Sequence, residues 1–328
     1  MRVTVRALTD DNPYLFWLSH TFSHLFYEDE NYTKVIVYSE FSPDDLRVMI
    51  RELDAAVEAF YASVPADLDA YEREKYVHDF LLDHCEYDDE AAASDEATSK
   101  EYMAHSIYGA LVNGKCVCEG YGTAMQLLLN GLGVECVTLT GRAASQNDEE
   151  EVLHLWNAVK LDGAWYHVDP TWDDQDDRMF CYDYFNLDDA LLFDDHTLSK
   201  TPDELGDALI AENGTEDMNI FIPACCDTEY NYYVYECPHL EDYVGREVRR
   251  ALYQTALDRA DSFTFYIDPD YLDYDEAVTD LFKEYPQVFF DYTGYVNEHL
   301  YDYEIDESNL RYYSDEKRRK VTVALNYY

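Results

Sequence analysis

The chain has 328 residues and a formal net charge of −47, with 47% hydrophobic residues. That length supports a sizeable core in one large domain or two smaller ones. A field of this sign repels nucleic acids and anionic membrane surfaces, which excludes them as partners; it attracts basic ones, or serves only as a solvated surface.

Residues 2–7 alternate like a short strand and carry no apolar signal-peptide core. No run approaches the roughly 18 apolar residues of a spanning helix. The expectation is a soluble, cytoplasmic protein without membrane insertion. Asn12-Pro13 reads as the cap and first position of a helix over 12–27. Residues 33–38 read as a strand. Ser42-Pro43 opens a long helix to about residue 63, with Val48, Ile50, Leu53, Val57 and Phe60 available for a buried face, and Pro65 breaks it. Another helix covers 71–85. Residues 86–100 are acidic, alanine-rich and poor in large side chains, as a surface loop is.

Cys118 precedes an apolar run over 123–132 in which Ala124, Leu127, Leu128 and Leu132 recur at helical spacing. It therefore stands at a helix N-terminus, where free N–H groups and the helix dipole favour a thiolate. Gly120 and Gly122 suggest close backbone packing against a neighbour. Cys116 and Cys118 also make a Cys-x-Cys pair. No second pair stands at zinc-finger spacing, so Cys116 is assigned to packing. Residues 134–140 are β-branched and read as a strand; 142–151 form an acidic polar loop just before His154.

Residues 152–161 and 164–169 are two β-type runs separated by Asp162-Gly163, a two-residue hairpin signal. That turn pairs Leu161 with Ala164. Counting back sets Trp156 opposite Asp169, and His154 opposite Thr171 if the ladder persists. Alternation places His154, Trp156, His167 and Asp169 on one face. His154 and Asp169 become diagonal neighbours, roughly 7–8 Å apart by backbone. A carboxylate so placed holds an imidazole's tautomer while its other nitrogen faces a nucleophile. Trp156, Asn157, Tyr166 and Trp172 read as packing and support around that pair.

Asp173, Asp174, Asp176 and Asp177 lack the glycine and terminal glutamate of a calcium loop and read as solvated. Residues 199–219 are a polar connector. A strand (230–235), a helix (243–259), a strand (262–267), a helix (273–283) and β-rich segments over 297–305 and 320–326 suggest a small α+β unit, with a split βαβ arrangement as one option. Its tyrosines suit strand packing or a binding surface. Lys317-Arg318-Arg319-Lys320 reads as an internal charge partner. The 8 cysteines are scattered, without disulfide-scaffold spacing.

The motifs Cys118-Glu119-Gly120-Tyr121, then His154-Leu155-Trp156-Asn157, then Asp169-Pro170-Thr171-Trp172-Asp173-Asp174 occur in order. This pattern resembles the transglutaminase-like superfamily of papain-type cysteine enzymes, most closely bacterial members. The upstream stretch 105–111 and the downstream Tyr184-Phe185-Asn186 and Asp195-His196 also fit. The resemblance covers about residues 76–196. It implies an α+β papain-like core, a cysteine-bearing helix on an antiparallel sheet, with an N-terminal elaboration (1–70), a catalytic core (71–200) and a connector with a C-terminal α+β accessory domain (201–328). It implies Cys118 as nucleophile, His154 as general base and acid, and Asp169 as orienting group. Leu155 departs from the alanine usual in relatives, and its side chain should point away from the triad.

The backbone N–H of Cys118 is one candidate oxyanion donor, and Tyr108 or His105 another. The expected activity is that of a peptidase or amidase acting on peptide or glutamine-type amides of a peptide or protein, a basic one among the candidates, through a thioester. Amine transfer to protein glutamine is the alternative, and a binding scaffold that keeps the fold without turnover is the rival. The hydrolytic reading is preferred because nothing in the chain resembles the calcium sites of animal crosslinking enzymes. The route needs no metal or organic cofactor. Relatives of this type are often exported, which leaves export open beside the cytoplasmic reading, and oligomeric state is not legible.

Overall fold

The computed structural model describes residues 2–39, 41–94, 99–144, 151–175, 178–205 and 218–328. Residues 95–98 of the acidic segment, 145–150 of the polar loop, Asp176 and Asp177 of the aspartate run, and 206–217 of the connector lie outside them. The chain is α+β and divides into two compact units: one from the described residues within 1–176 and 184–227, the other from those within 177–183 and 228–328.

The first unit opens with α1 (Arg2–Asp10), a helix where alternation predicts a strand. Helical spacing sets Arg6 against Asp10 at 2.8 Å, a pairing that a strand cannot make. Arg6 Nη2 also donates to Thr140 Oγ1 at 3.1 Å. The helix expected over 12–27 is absent too. A short turn at Pro13–Leu15 leads into an antiparallel hairpin of β1 (Leu18–Tyr27) and β2 (Tyr32–Ser39). Aromatic and β-branched residues suit that ladder, and the rings of Tyr27 and Tyr32 stack at 4.7 Å.

Helix α2 (Pro43–Ser63) is capped by the Ser42 hydroxyl, which accepts from the Asp45 N–H at 3.2 Å. It buries Met49, Leu53, Val57 and Phe60, while Val48 stays exposed. A capping box of Asp69 and Glu72 opens α3 (Ala70–His84). The acidic segment is more than a loop. Strand β3 (Glu86–Tyr87) runs parallel to β4 (Lys115–Cys116), and α4 (Asp89–Ala92) and α5 (Ser99–Ala104) lie between them in sequence. Buried Ala91 and Ala104 cluster with Val117, so the small side chains serve close packing.

Helix α6 (Cys118–Gly131) lies against a five-stranded antiparallel sheet. Its strands are β5 (Cys136–Ala143), β6 (Val152–Leu161), β7 (Ala164–Val168), β8 (Phe185–Leu187) and β9 (His196–Leu198), in the order β8-β7-β6-β5-β9. Two short helices, α7 (Pro170–Asp173) and α8 (Asp189–Leu192), flank β8 in sequence. On one face of β6, Asn157 Nδ2 donates to the Gly122 carbonyl at 2.9 Å, and Leu155 covers Gly122 so closely that a methyl there would collide with it. On the other face Trp156 and Ala158 pack with Leu139, Leu187, Leu192 and Cys225.

In the second unit, α9 (Tyr232–Tyr235) is a helix where a strand is expected. The Asn231 side chain accepts from the Tyr233 N–H at 3.1 Å and starts the turn. Strand β10 (His239–Leu240), α10 (Arg246–Leu257) and β11 (Ser262–Ile267) form a parallel βαβ unit with adjacent strands, so the arrangement is not split. Helix α11 (Tyr274–Val278) continues as a π turn over Thr279–Lys283. Helix α12 (Val288–Asn297) takes up the start of the region read as β-rich, where only Ile305 bridges, to Tyr327. Strands β12 (Arg311–Asp315) and β13 (Lys320–Ala324) complete a sheet of order β10-β11-β13-β12. Its core holds Leu252, Phe263, Phe265, Phe289 and Val321. The basic turn is used internally: Lys320 is buried and pairs with Asp183, and Arg318 pairs with Asp315 at 3.1 Å.

Candidate active site

The cysteine is placed by a helix start. Val117 is extended at the cap position, its N–H donating to the Ala104 carbonyl at 3.0 Å, and its own carbonyl accepts from Gly120 and Tyr121. Cys118 is thus the first helical residue and is part-exposed. Cys116, two residues back, is fully buried. The neighbouring Cys85, then burial, pushes its thiol far above the ordinary range.

The histidine and aspartate are placed by the hairpin. Asp162 and Gly163 both take positive φ, 48° and 93°, and Leu161 pairs with Ala164. The ladder runs only to Asn157 and Val168. Thr171 belongs to α7, so the pairing of His154 with Thr171 does not form; Asp169 caps that helix instead. Asp169 Oδ1 accepts from the N–H groups of Thr171 at 3.0 Å and Trp172 at 3.2 Å. That leaves Oδ2 for His154 Nε2 at 2.6 Å. Cys118 also acts on His154, adding to the rise of its imidazole. With Nε2 taken by Asp169, Nδ1 is the ring nitrogen that remains.

Burial works against charge on His154, but Asp169 and then Cys118 overcome it and lift the imidazole to about 10. For Asp169, burial alone raises the carboxyl. The charge and hydrogen bond of His154, joined by His196, reverse this and hold it well below the usual range. The rings of Trp156 and Trp172 lie 6.1 and 5.9 Å from that of His154.

A second histidine, which sequence reading left without a role, completes the cluster. His196 Nε2 contacts the same Asp169 Oδ2 at 3.1 Å, and its Nδ1 contacts Asp195 Oδ1 at 2.6 Å. Asp195-His196 is visible as a motif, but its place beside Asp169 depends on β9 joining β5 at the sheet edge. Tyr87 also lies close enough to feel Cys118. Its hydroxyl is raised to about 12 by burial, with the negative charges of Cys118, Asp89 and Asp169 adding to it.

The other expected residues have partners of their own. Tyr108 donates to Glu52 Oε2 at 2.6 Å and stacks on Phe16 at 6.0 Å. His105 pairs with Glu119. Asn157 ties β6 to α6. The aspartate run is not simply solvated: Asp173 is buried, accepting from His78 at 3.0 Å and from the Tyr184 N–H at 2.8 Å, and Asp174 accepts from Tyr121.

One further group offers donor atoms at metal-like spacing: His167, Asp189 and Cys225, all within 4.8 Å of one another. Trp156 Nε1 donates to His167 Nδ1 at 3.2 Å. An indole N–H only donates, so Nδ1 is the acceptor and the proton sits on Nε2, aimed at Asp189 Oδ1 at 3.0 Å. A protonated nitrogen is no ligand. The group is a hydrogen-bond chain from Trp156 through His167 to Asp189.

Among the described residues no helix is long and apolar enough to cross a membrane. Residues 59–170 match the transglutaminase-like superfamily. The chain is 32% identical to the kyphoscoliosis peptidase of Mus musculus over 139 residues, which is 38% of this chain and 20% of that protein. Against the Homo sapiens protein of the same name it is 30% identical over 158 residues, 44% of this chain and 23% of the other. The chain thus spans about a fifth of the length of these curated relatives. It is also similar to a crystal structure of a TGase, at 20% identity and a TM-score of 0.31, covering 40% of this chain and 34% of that one. The matched stretch contains the helix of Cys118 and the hairpin of His154 and Asp169, so the similarity to the transglutaminase-like superfamily takes in all three residues.

Proposed function

We propose that Cys118, His154 and Asp169 act as a catalytic triad on peptide or glutamine-type amide bonds, and that the protein is a peptidase or amidase. The observation that carries this reading is the position of His154, bonded through Nε2 to Asp169 Oδ2 at 2.6 Å and close enough to Cys118 for that residue to raise its imidazole. In the first step the Cys118 sulfur forms a bond to the substrate carbonyl carbon, with the Cys118 proton held by His154. The Cys118 backbone N–H begins α6 and has no carbonyl four residues back within the helix, so it is free to stabilise the oxyanion. The C–N bond then breaks as His154 gives its proton to the leaving amine, and a thioester remains. Water loses a proton to His154 and adds to the thioester carbonyl. Collapse releases the acid and returns the thiolate.

Asp169 stabilises the charged imidazole and keeps its ring in place. The rival acceptor is an amine, which would give transamidation from the same thioester. The test is a set of peptides bearing internal glutamine, incubated with the protein with and without a primary amine and read by mass spectrometry. Cleavage or a gain of one mass unit by deamidation, abolished in Cys118→Ala, supports the hydrolytic reading. Amine incorporation in its place overturns it in favour of transfer, and no turnover on any peptide favours a binding scaffold.

A further inference from the structure

His196 stands directly behind the triad, and its surroundings define its charge. Its Nε2 faces Asp169 Oδ2 at 3.1 Å and its Nδ1 faces Asp195 Oδ1 at 2.6 Å. An ionised carboxylate only accepts, so both ring nitrogens must donate. A ring with two N–H groups is an imidazolium. The site is fully buried on the His196 side and nearly so at Asp195. The groups around it agree. Tyr184 donates its hydroxyl to Asp195 Oδ2 at 2.7 Å, which stabilises that carboxylate as the anion. The rings of Trp172, Trp156, His154 and Tyr184 lie 4.6, 5.1, 5.5 and 5.7 Å from that of His196. Among these neighbours the titratable ones are Asp169, Asp195, His154 and Tyr184. Burial opposes the charged ring, and the bonds to Asp169 and Asp195 outweigh it.

We infer that His196 is a positioning residue held as an imidazolium between Asp169 and Asp195, and that its charge sets the pH range over which His154 and Cys118 form their ion pair. The inference rests on the proposed triad. Its physical content is a competition. His196 and His154 share one oxygen of Asp169, so the positive charge of His196 takes up part of that carboxylate's negative potential. It also lies close enough to His154 to disfavour a second positive charge there. Removing it leaves a more negative site, in which Cys118 gives up its proton less readily.

The experiment is the pH profile of Cys118 alkylation by iodoacetamide, with the modified site mapped by mass spectrometry, in the full chain. It needs no substrate. The acidic limb of the profile should move up by about one pH unit or more in His196→Gln, which removes a positive charge. It should move down in Asp195→Asn, which removes a negative one while His196 remains charged at acidic pH. Opposite displacements are the signature of electrostatics, since simple loosening of the site moves both variants the same way. Should either variant fail to fold, side-chain 15N NMR of the wild-type protein reads His196 directly, and both nitrogens should be protonated at pH 7. A neutral His196 beside a protonated Asp195 overturns the inference. So does a limb that depends on His154 but ignores His196→Gln. A wild-type limb unchanged by His154→Ala overturns the triad itself, and this inference with it.

Discussion

Trp156 donates its indole N–H to His167 Nδ1 at 3.2 Å, across two neighbouring strands and wholly inside the protein. The bond selects the tautomer of His167 and directs its remaining proton to Asp189. Trp156→Phe retains a ring beside His154 but removes that donor, leaving a buried nitrogen without its partner. Denaturant unfolding should show a loss of about 2–4 kcal/mol, from the unmade bond and the smaller ring together. An unchanged midpoint would show that the tautomer is set by something else.

Cys118→Ala should leave stability nearly unaltered, because the thiol is small and part-exposed. Thermal unfolding should fall within about 1 kcal/mol of wild type. Covalent labelling by a peptide electrophile should vanish. Persistence of labelling, mapped to Cys116, would reverse the assignment of the two thiols.

Asp169→Asn tests charge separately from structure. Asparagine still caps α7, so the helix start survives. The imidazole loses the partner that lifts it to about 10. Turnover should fall at least about a hundredfold. In the wild type, the raised His154 contributes stability that is complete below its ordinary value of 6.5 and lost as pH rises towards about 10. That decline should disappear in the variant, as followed by urea midpoints from pH 8 to pH 10, above the range in which Glu74 titrates. A decline of equal slope in both proteins would place the titrating group elsewhere.

Glu74 is fully buried in α3, with Oε2 accepting from Asn186 Nδ2 at 3.0 Å and Oε1 without a hydrogen bond. Burial raises its carboxyl from 4.5 to about 8, against the opposing Asn186 bond and His78 charge. The folded chain therefore keeps a proton that the unfolded chain releases across that window, and stability falls as pH rises, by up to about 1.4 kcal/mol per unit. Glu74→Gln should remove this slope, so that the variant gains on wild type from pH 5 to pH 8. Parallel stability curves would show Glu74 to be ionised in the fold.

Gly122 and Leu155 meet where α6 crosses β6. Gly122→Ala should destabilise by about 1–3 kcal/mol through that collision. Leu155→Ala should recover most of it in the double variant, because it empties the space the new methyl needs. Additive losses would mean that the two positions are not coupled.

The elements that were legible in the sequence are those whose determinants lie close together in the chain. Ser42-Pro43 marks a helix start through a contact within three residues. Asp162-Gly163 imposes a turn, and counting from it puts Leu161 opposite Ala164 and His154, Trp156, His167 and Asp169 on one face. The failures have the opposite character. Residues 18–27 carry apolar residues that suit either a helix or a strand, and only β2, further along the chain, decides between them. Arg6 anchors α1 on Thr140, and the acidic segment finds its order from β4.

The sequence by itself determined the local geometry of the hairpin, the helix start at Cys118 and the order of the motifs, because turns and caps are set by residues within a few positions of one another. Tertiary structure alone decided what surrounds Asp169. His196 lies 27 residues beyond it and reaches it through β9, β5 and β6, so its contact depends on strand order and on sheet twist. No local spacing encodes that order. It is chosen by the burial of the whole sheet against α6 on one face and the Trp156 cluster on the other.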